Sequence, residues 1–202
     1  MRLMTMAAVL AGASGLAGCA QINLLTKALE YQGIESDIED AEGVEVTMPE
    51  GGKGEYEGVV GISAGYEDGG VLMFGDAALT ADFDAATIDG VLDDFIAAEF
   101  DDDTDLEAFL QNPVASAFKF ESATGKFDLT NGVIVADGFT VDIDGSVAVD
   151  ANVYTADGRL IGEFLGANAE LLKAWADARN ISFTRNGVNG TDIDVELVAG
   201  EK

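Results

Sequence analysis

VLMFGDAALTADFDAATIDGVL, residues 71–92, holds two amphipathic strands and the turn between them. Leu79, Ala81 and Phe83 alternate with Thr80, Asp82 and Asp84, the period-2 pattern of a strand with one dry face and one wet face. Ile88, Gly90 and Leu92 then alternate with Asp89 and Val91, and the four residues Asp84-Ala85-Ala86-Thr87 between the runs suit a hairpin turn. A two-stranded ribbon with one apolar face is not stable alone in water, so further strands must cover it.

Such strands recur on both sides. Upstream, Tyr56, Gly58, Val60 and Ile62 form one apolar row with Glu55 and Glu57 opposite. Before them Val44, Val46 and Met48 read as a short strand stopped by Pro49, followed by the turn cluster Gly51-Gly52-Lys53-Gly54. Downstream, Phe127 and Leu129 lead into Asn131-Gly132, then Ile134 and Ala136; a two-residue loop there pairs Leu129 with Ile134 and Phe127 with Ala136. From Phe139 to Val153 every odd position is apolar or glycine, which is long for one strand. Asp144-Gly145 reads either as a turn or as a bend where a strand rounds a barrel corner. Asp157-Gly158 reads as the next turn, with a strand over 160–164. Ile181 and Phe183 start another strand, Asn186-Gly187 and Asn189-Gly190 mark turns, and Ile193, Val195 and Leu197 alternate with acids in a last strand able to pair with an early one. These readings predict a mainly β fold, an antiparallel eight-stranded up-and-down barrel over 43–202 with one or two short helices.

Two stretches read as helix. Thr104-Asp105-Leu106-Glu107 is a capping box, and Leu106, Phe109 and Leu110 share one helical face up to Asn112-Pro113, which makes 93–113 an acidic helical insertion. Residues 167–179 suit a second helix with Leu171, Leu172 and Trp175 as its apolar stripe and Trp175 as a core anchor.

Composition narrows function. With 202 residues the chain suits one domain plus appendages; 25 glycines against 2 prolines agree with a β-rich fold. A formal net charge of −28 repels nucleic-acid phosphates and anionic lipid head groups. The acidity suits solubility in a salty medium, or attraction of a cationic partner or Ca²⁺. There is no histidine, hence no Ser–His machinery, and the single cysteine, Cys19, excludes an internal disulfide and a cysteine-based zinc site. The glycine clusters lack the Lys-Ser/Thr and helix of a phosphate loop. We expect no enzyme activity and no cofactor.

Met1-Arg2 followed by an apolar stretch to about Leu16 and small residues has the form of a secretory signal over 1–18, too short for a permanent membrane span. Leu16-Ala17-Gly18-Cys19 resembles the lipobox of bacterial lipoproteins, which implies lipidation of Cys19. Ala20 follows in place of the aspartate that typically retains such proteins at the inner membrane, so the resemblance implies an outer-membrane lipid anchor, periplasmic or surface-exposed. Residues 19–42 then read as a lipid-anchored tether with some helix, loosely docked.

Two further segments point to a family. Ala81-Asp82-Phe83-Asp84-Ala85-Ala86-Thr87-Ile88-Asp89-Gly90 resembles a characteristic hairpin of transferrin-binding protein B, and Gly162-Glu163-Phe164-Leu165-Gly166-Ala167-Asn168-Ala169-Glu170 resembles its closing segment. The likeness covers roughly residues 54–172 and implies the eight-stranded barrel half of one lobe, as a stand-alone barrel. It also implies a host- or metal-acquisition setting, with a partner protein or a small, iron- or haem-related ligand bound through loops. Asp101, Asp102, Asp103 and Asp105 form the candidate partner-binding segment. Their spacing resembles the start of a calcium loop, but Leu106 stands where the invariant glycine belongs and the terminal glutamate is missing, which favours a solvated acidic insertion over a specific Ca²⁺ site. The other expectation is a structural envelope lipoprotein supporting an outer-membrane assembly.

Overall fold

The computed structural model describes residues 19–101 and 120–202. One helix, α1 (Cys19–Ala41), precedes eleven strands: β1 (Lys53–Tyr66), β2 (Gly69–Asp82), β3 (Thr87–Phe100), β4 (Glu121–Ser122), β5 (Thr124–Val135), β6 (Gly138–Val149), β7 (Asn152–Leu165), β8 (Leu171–Asp177), β9 (Ile181–Arg185), β10 (Val188–Asn189) and β11 (Thr191–Glu201). Eight of them, β1, β2, β3, β5, β6, β7, β8 and β11, pair antiparallel with their neighbours, and β11 returns to β1 so that the sheet closes into a barrel. The hairpin over 71–92 is as the alternation predicts, with Ala81 opposite Ile88 and Leu79 opposite Gly90.

Alternation fills the barrel. Tyr56, Val60 and Ile62 of β1, Val141 and Ile143 of β6, and Val195 and Leu197 of β11 are all buried in one continuous core. Closure depends on a close approach at the seam: Gly58 faces Ala199, and a Cβ on Gly58 would sit 2.0 Å from the Val198 carbonyl oxygen. One end is shut by side chains as well. There Tyr56, Phe83, Phe139 and Phe164 pack with ring centroids 5.2–5.8 Å apart. Val46 and Met48 pack against this core from an irregular segment, not from a strand, and Thr47 N–H donates to the Ala167 carbonyl at 3.1 Å.

Several local expectations are corrected. The stretch 167–179 is not a helix: Leu172, Ala174 and Ala176 point inward from β8, hydrogen-bonded to β7 and β11, because the sheet needs this strand to close. Trp175 therefore points outward and is 38 % exposed, opposite Ile161 and Glu196, and is no core anchor. Asn131-Gly132 is a bulge within β5, where Asn131 adopts φ 54°, and the turn comes later at Ala136-Asp137. Leu129 faces Ile143 across to β6, not Ile134. Gly145, at φ 146°, is the bend within β6, and Asp157-Gly158 lies inside β7. Residues 93–100 belong to β3 and not to an insertion; the helix expected over 104–112 lies outside the described residues.

Residues 19–41, expected to hold some helix, form one continuous helix. Its inner side rests on the outer wall of the barrel. Leu24 packs with Leu72, Phe74, Ile96, Ala98, Phe100 and Phe120, and Ile38 is buried further along. Lys27, only 4 % exposed, pairs with Asp76 and, at 3.2 Å, with Asp94. A bulge in β3 turns Asp94 (φ 46°) toward that ammonium. Tyr31 donates to Glu196 of β11, and burial followed by that carboxylate pushes its pKa up.

Candidate functional site

The barrel end opposite the Phe83–Phe164 cluster is lined with polar groups. Four inward-facing rows finish there: Tyr66 ends β1, Glu99 comes one residue before the end of β3, Tyr154 lies near the start of β7, and Arg185 ends β9. Each occupies the position where its strand's alternation would place a core residue; Tyr66 and Tyr154 are still buried there, whereas Arg185 is half-buried and Glu99 exposed. The Tyr154 hydroxyl donates to Glu99, and Asn152 Nδ2 donates to Glu99 Oε1 at 2.7 Å. Arg185 pairs with Asp68 of the β1–β2 turn, and its guanidinium carbon lies 4.4 Å from the Tyr66 ring centroid, a cation–π contact. The Tyr154 ring stacks on Phe183 at 5.9 Å. The rim is fixed by Asn186, which accepts from Val153 N–H at 2.9 Å and donates to Asn152 at 2.7 Å.

Burial disfavours the Arg185 cation, but Asp68 and the Tyr154 hydroxyl more than offset this and hold its pKa above the ordinary value. Burial also pushes the Tyr66 and Tyr154 hydroxyls up, Tyr154 further through Glu99. Both hydroxyls thus keep their protons at neutral pH. The Tyr66 hydroxyl is buried and has no partner among the described residues. What the mouth presents to solvent is the Glu99 carboxylate and the edge of the Arg185 guanidinium, held over two buried tyrosines, which is chemistry for recognition.

A second concave patch lies on the outer wall. Two ladder irregularities flank it: the β5 bulge carrying Asn131, and the break between β8 and β9 carrying Asn180. The groove between them has a volume of about 540 Å³ and is lined mainly by Thr130, Asn131, Asp142, Asp144, Asp157 and Arg159. Arg159 Nε donates to Asp142 at 2.7 Å, and Asn131 donates to the same carboxylate at 3.3 Å. Asp144 sits directly between Asp128 and Asp157 in register.

No family model matches the chain, and no curated protein is similar to it.

Of the residues singled out in the sequence, Asp101 follows the last residue of β3, exposed, two positions beyond Glu99 at the mouth. Asp102, Asp103 and Asp105 lie outside the described residues. Cys19 is the first residue of α1. Among the described residues no three His, Cys, Asp or Glu side chains are grouped to hold a metal. Sequence reasoning missed Tyr66, Glu99, Tyr154 and Arg185, which are far apart in the chain and form no motif. One signal was available: Arg185 continues the inward row Ile181, Phe183, and a cation at a core position marks either an error of register or a rim.

Proposed function

We propose that the protein is a lipid-anchored, non-enzymatic binding protein of the bacterial outer envelope, recognising a partner protein or small ligand through the loops at its polar mouth. The observation that carries this reading is the contrast between a barrel interior filled with apolar and aromatic side chains and a mouth rimmed by Arg185, Glu99 and the start of the acidic segment at Asp101. A filled interior leaves recognition to the loops and rim. The outer wall carries Asp128, Asp142, Asp144, Asp157 and Glu163 while the inner face is apolar, the reverse of a barrel that spans a bilayer. Attachment is accordingly assigned to an acylated Cys19, as the lipobox resemblance implies. The likeness of two segments to transferrin-binding protein B suggests an acquisition role, with an iron- or haem-related ligand as one candidate.

The test is capture from growth medium and envelope extract by the intact chain and three variants. Arg185→Gln and Glu99→Gln, at the mouth, are expected to lose the captured partner, and Asp144→Asn, in the groove, to keep it. Equal capture by all four, or no reproducible partner, refutes recognition at the mouth. Incorporation of labelled palmitate into the native chain but not into Cys19→Ala tests the anchor.

A further inference from the structure

Helix α1 has two unlike sides. Leu24, Lys27, Tyr31 and Ile38 face the barrel. On the opposite side, at the i, i+4, i+7, i+11 spacing of one helical stripe, stand Ile22, Thr26, Leu29 and Gly33, all exposed and none charged. Ile22 and Leu29 are each 55 % exposed, large apolar side chains turned away from the barrel. Charge divides the helix along its length too. From Cys19 to Ile34 the only charged residues are Lys27 and Glu30, and they cancel; from Glu35 to Glu45 there are six acids and no base. In a chain of net charge −28, the outer stripe of the first half is a neutral, apolar strip.

We propose that this strip, Ile22–Thr26–Leu29–Gly33, lies in the interface of a zwitterionic lipid surface, with the barrel docked on the other side of the helix. The inference rests on the lipid-anchor reading for its biological setting, because Cys19 lies in α1 and Ile22 follows within one turn. Acyl chains leaving Cys19 deliver this strip to the bilayer, and its neutrality spares it the repulsion that the rest of the acidic chain meets. Interfacial helices bury their apolar face roughly 5–10 Å into the boundary between head groups and acyl chains. The acids from Glu35 onward mark where the helix leaves that surface. Because Leu24, Lys27 and Ile38 fix the helix to the barrel, the strip fixes the barrel's orientation on the membrane as well.

The experiment separates this claim from the anchor. The whole chain carrying Cys19→Ser and Thr26→Cys is labelled with an environment-sensitive fluorophore and held on phosphatidylcholine vesicles by an N-terminal polyhistidine tag and a nickel-chelating lipid. The Thr26 probe is expected to shift to the blue and to be quenched several-fold by nitroxide-bearing lipid; the same probe at Asp37→Cys is expected to stay aqueous. Adding Ile22→Glu and Leu29→Glu, both at exposed positions that leave the fold intact, is expected to abolish the shift. A Thr26 probe that remains aqueous on vesicles, or is quenched equally with both glutamates present, overturns the proposal. A blue shift without vesicles that grows with protein concentration overturns it in favour of a second copy of the chain. Failure of the anchor reading shows separately, as a native chain whose mass carries no acyl group.

Discussion

Strand β8 offers the sharpest test of the architecture, because its strand and helix readings make opposite demands on adjacent residues. In the strand, Ala174 points into the core with no exposed surface, and Trp175 points out between Ile161 and Glu196. In a helix with Leu171, Leu172 and Trp175 as its apolar stripe, Trp175 would be buried and Ala174 would lie off the stripe. Ala174→Asp in the strand places a carboxylate among apolar side chains, where even an uncharged polar group costs about 1–3 kcal/mol and an unpaired charge several more. Added volume in a filled core costs a further ~1–3 kcal/mol. That total, roughly 5 kcal/mol or more, approaches the whole stability of a typical domain, about 5–15 kcal/mol. Trp175→Lys loses a cross-strand contact with Ile161 of about 0.2–1 kcal/mol and gains a Lys–Glu pair of similar size with Glu196, while the lysine stem still covers the wall. Its net effect is expected within ~1 kcal/mol, or about 2–4 °C in Tm. Far-UV circular dichroism through a urea and a thermal ramp is the assay, since Trp175 is the only tryptophan and its replacement removes the fluorescence signal. Ala174→Asp at the wild-type midpoint, or Trp175→Lys as damaging as Ala174→Asp, would refute the strand assignment.

Three other predictions concern the helix and the mouth. Lys27→Ala leaves Asp76 and Asp94 facing each other without their cation; both acids are about half exposed or more, so the loss is discounted to about 1–2 kcal/mol and is expected to free α1, seen as faster proteolysis within 19–41 while the barrel's Tm holds. Docking of α1 is expected to depend on pH: burial and then Glu196 raise the carboxyl pKa of both Glu35 and Asp194, with Glu39 and Asp177 adding to the effect and Lys173 opposing it at Glu35. A carboxyl whose folded pKa lies above its unfolded one weakens the folded state at high pH and ceases to do so as pH falls through the raised value, so amide exchange in α1 is expected to slow, after correction for its intrinsic pH dependence, from pH 8 to pH 5, and much less in Glu196→Gln. Tyr66→Phe removes a buried hydroxyl that has no described partner and keeps the ring under Arg185, so it is expected to raise stability by up to ~1 kcal/mol in a urea titration; a loss larger than that would mean the hydroxyl is satisfied.

What the sequence made legible was the alternation itself. Rows such as 139–149 and 193–199 declare their buried face residue by residue, and the hairpin at 83–86 follows from two clean rows meeting at a short polar gap. Turns were harder, because Asn-Gly and Asp-Gly tolerate left-handed backbone equally in a turn and in a bulge. At Asn131-Gly132 and Asp157-Gly158 the partner strand on the other side decides, and that partner is remote in sequence. β8 was misread because LLKAWA satisfies both periods over so short a run; the need for an eighth strand to close the wall settles it. The mouth was nearly invisible for a related reason. Arg185, Tyr66, Tyr154 and Glu99 come from four strands, and only closure brings them to one rim.

The seam between β1 and β11 joins Tyr56 to Glu201, near opposite ends of the described chain. Contacts of such separation form late, since the intervening loop must be ordered before they are rewarded. Until Thr191–Glu201 arrives, β1 has one bare side and the cylinder remains an open curl with its greasy lining on show. A chain built in this way stays pliable for most of its folding, and locks only once its last strand is in place.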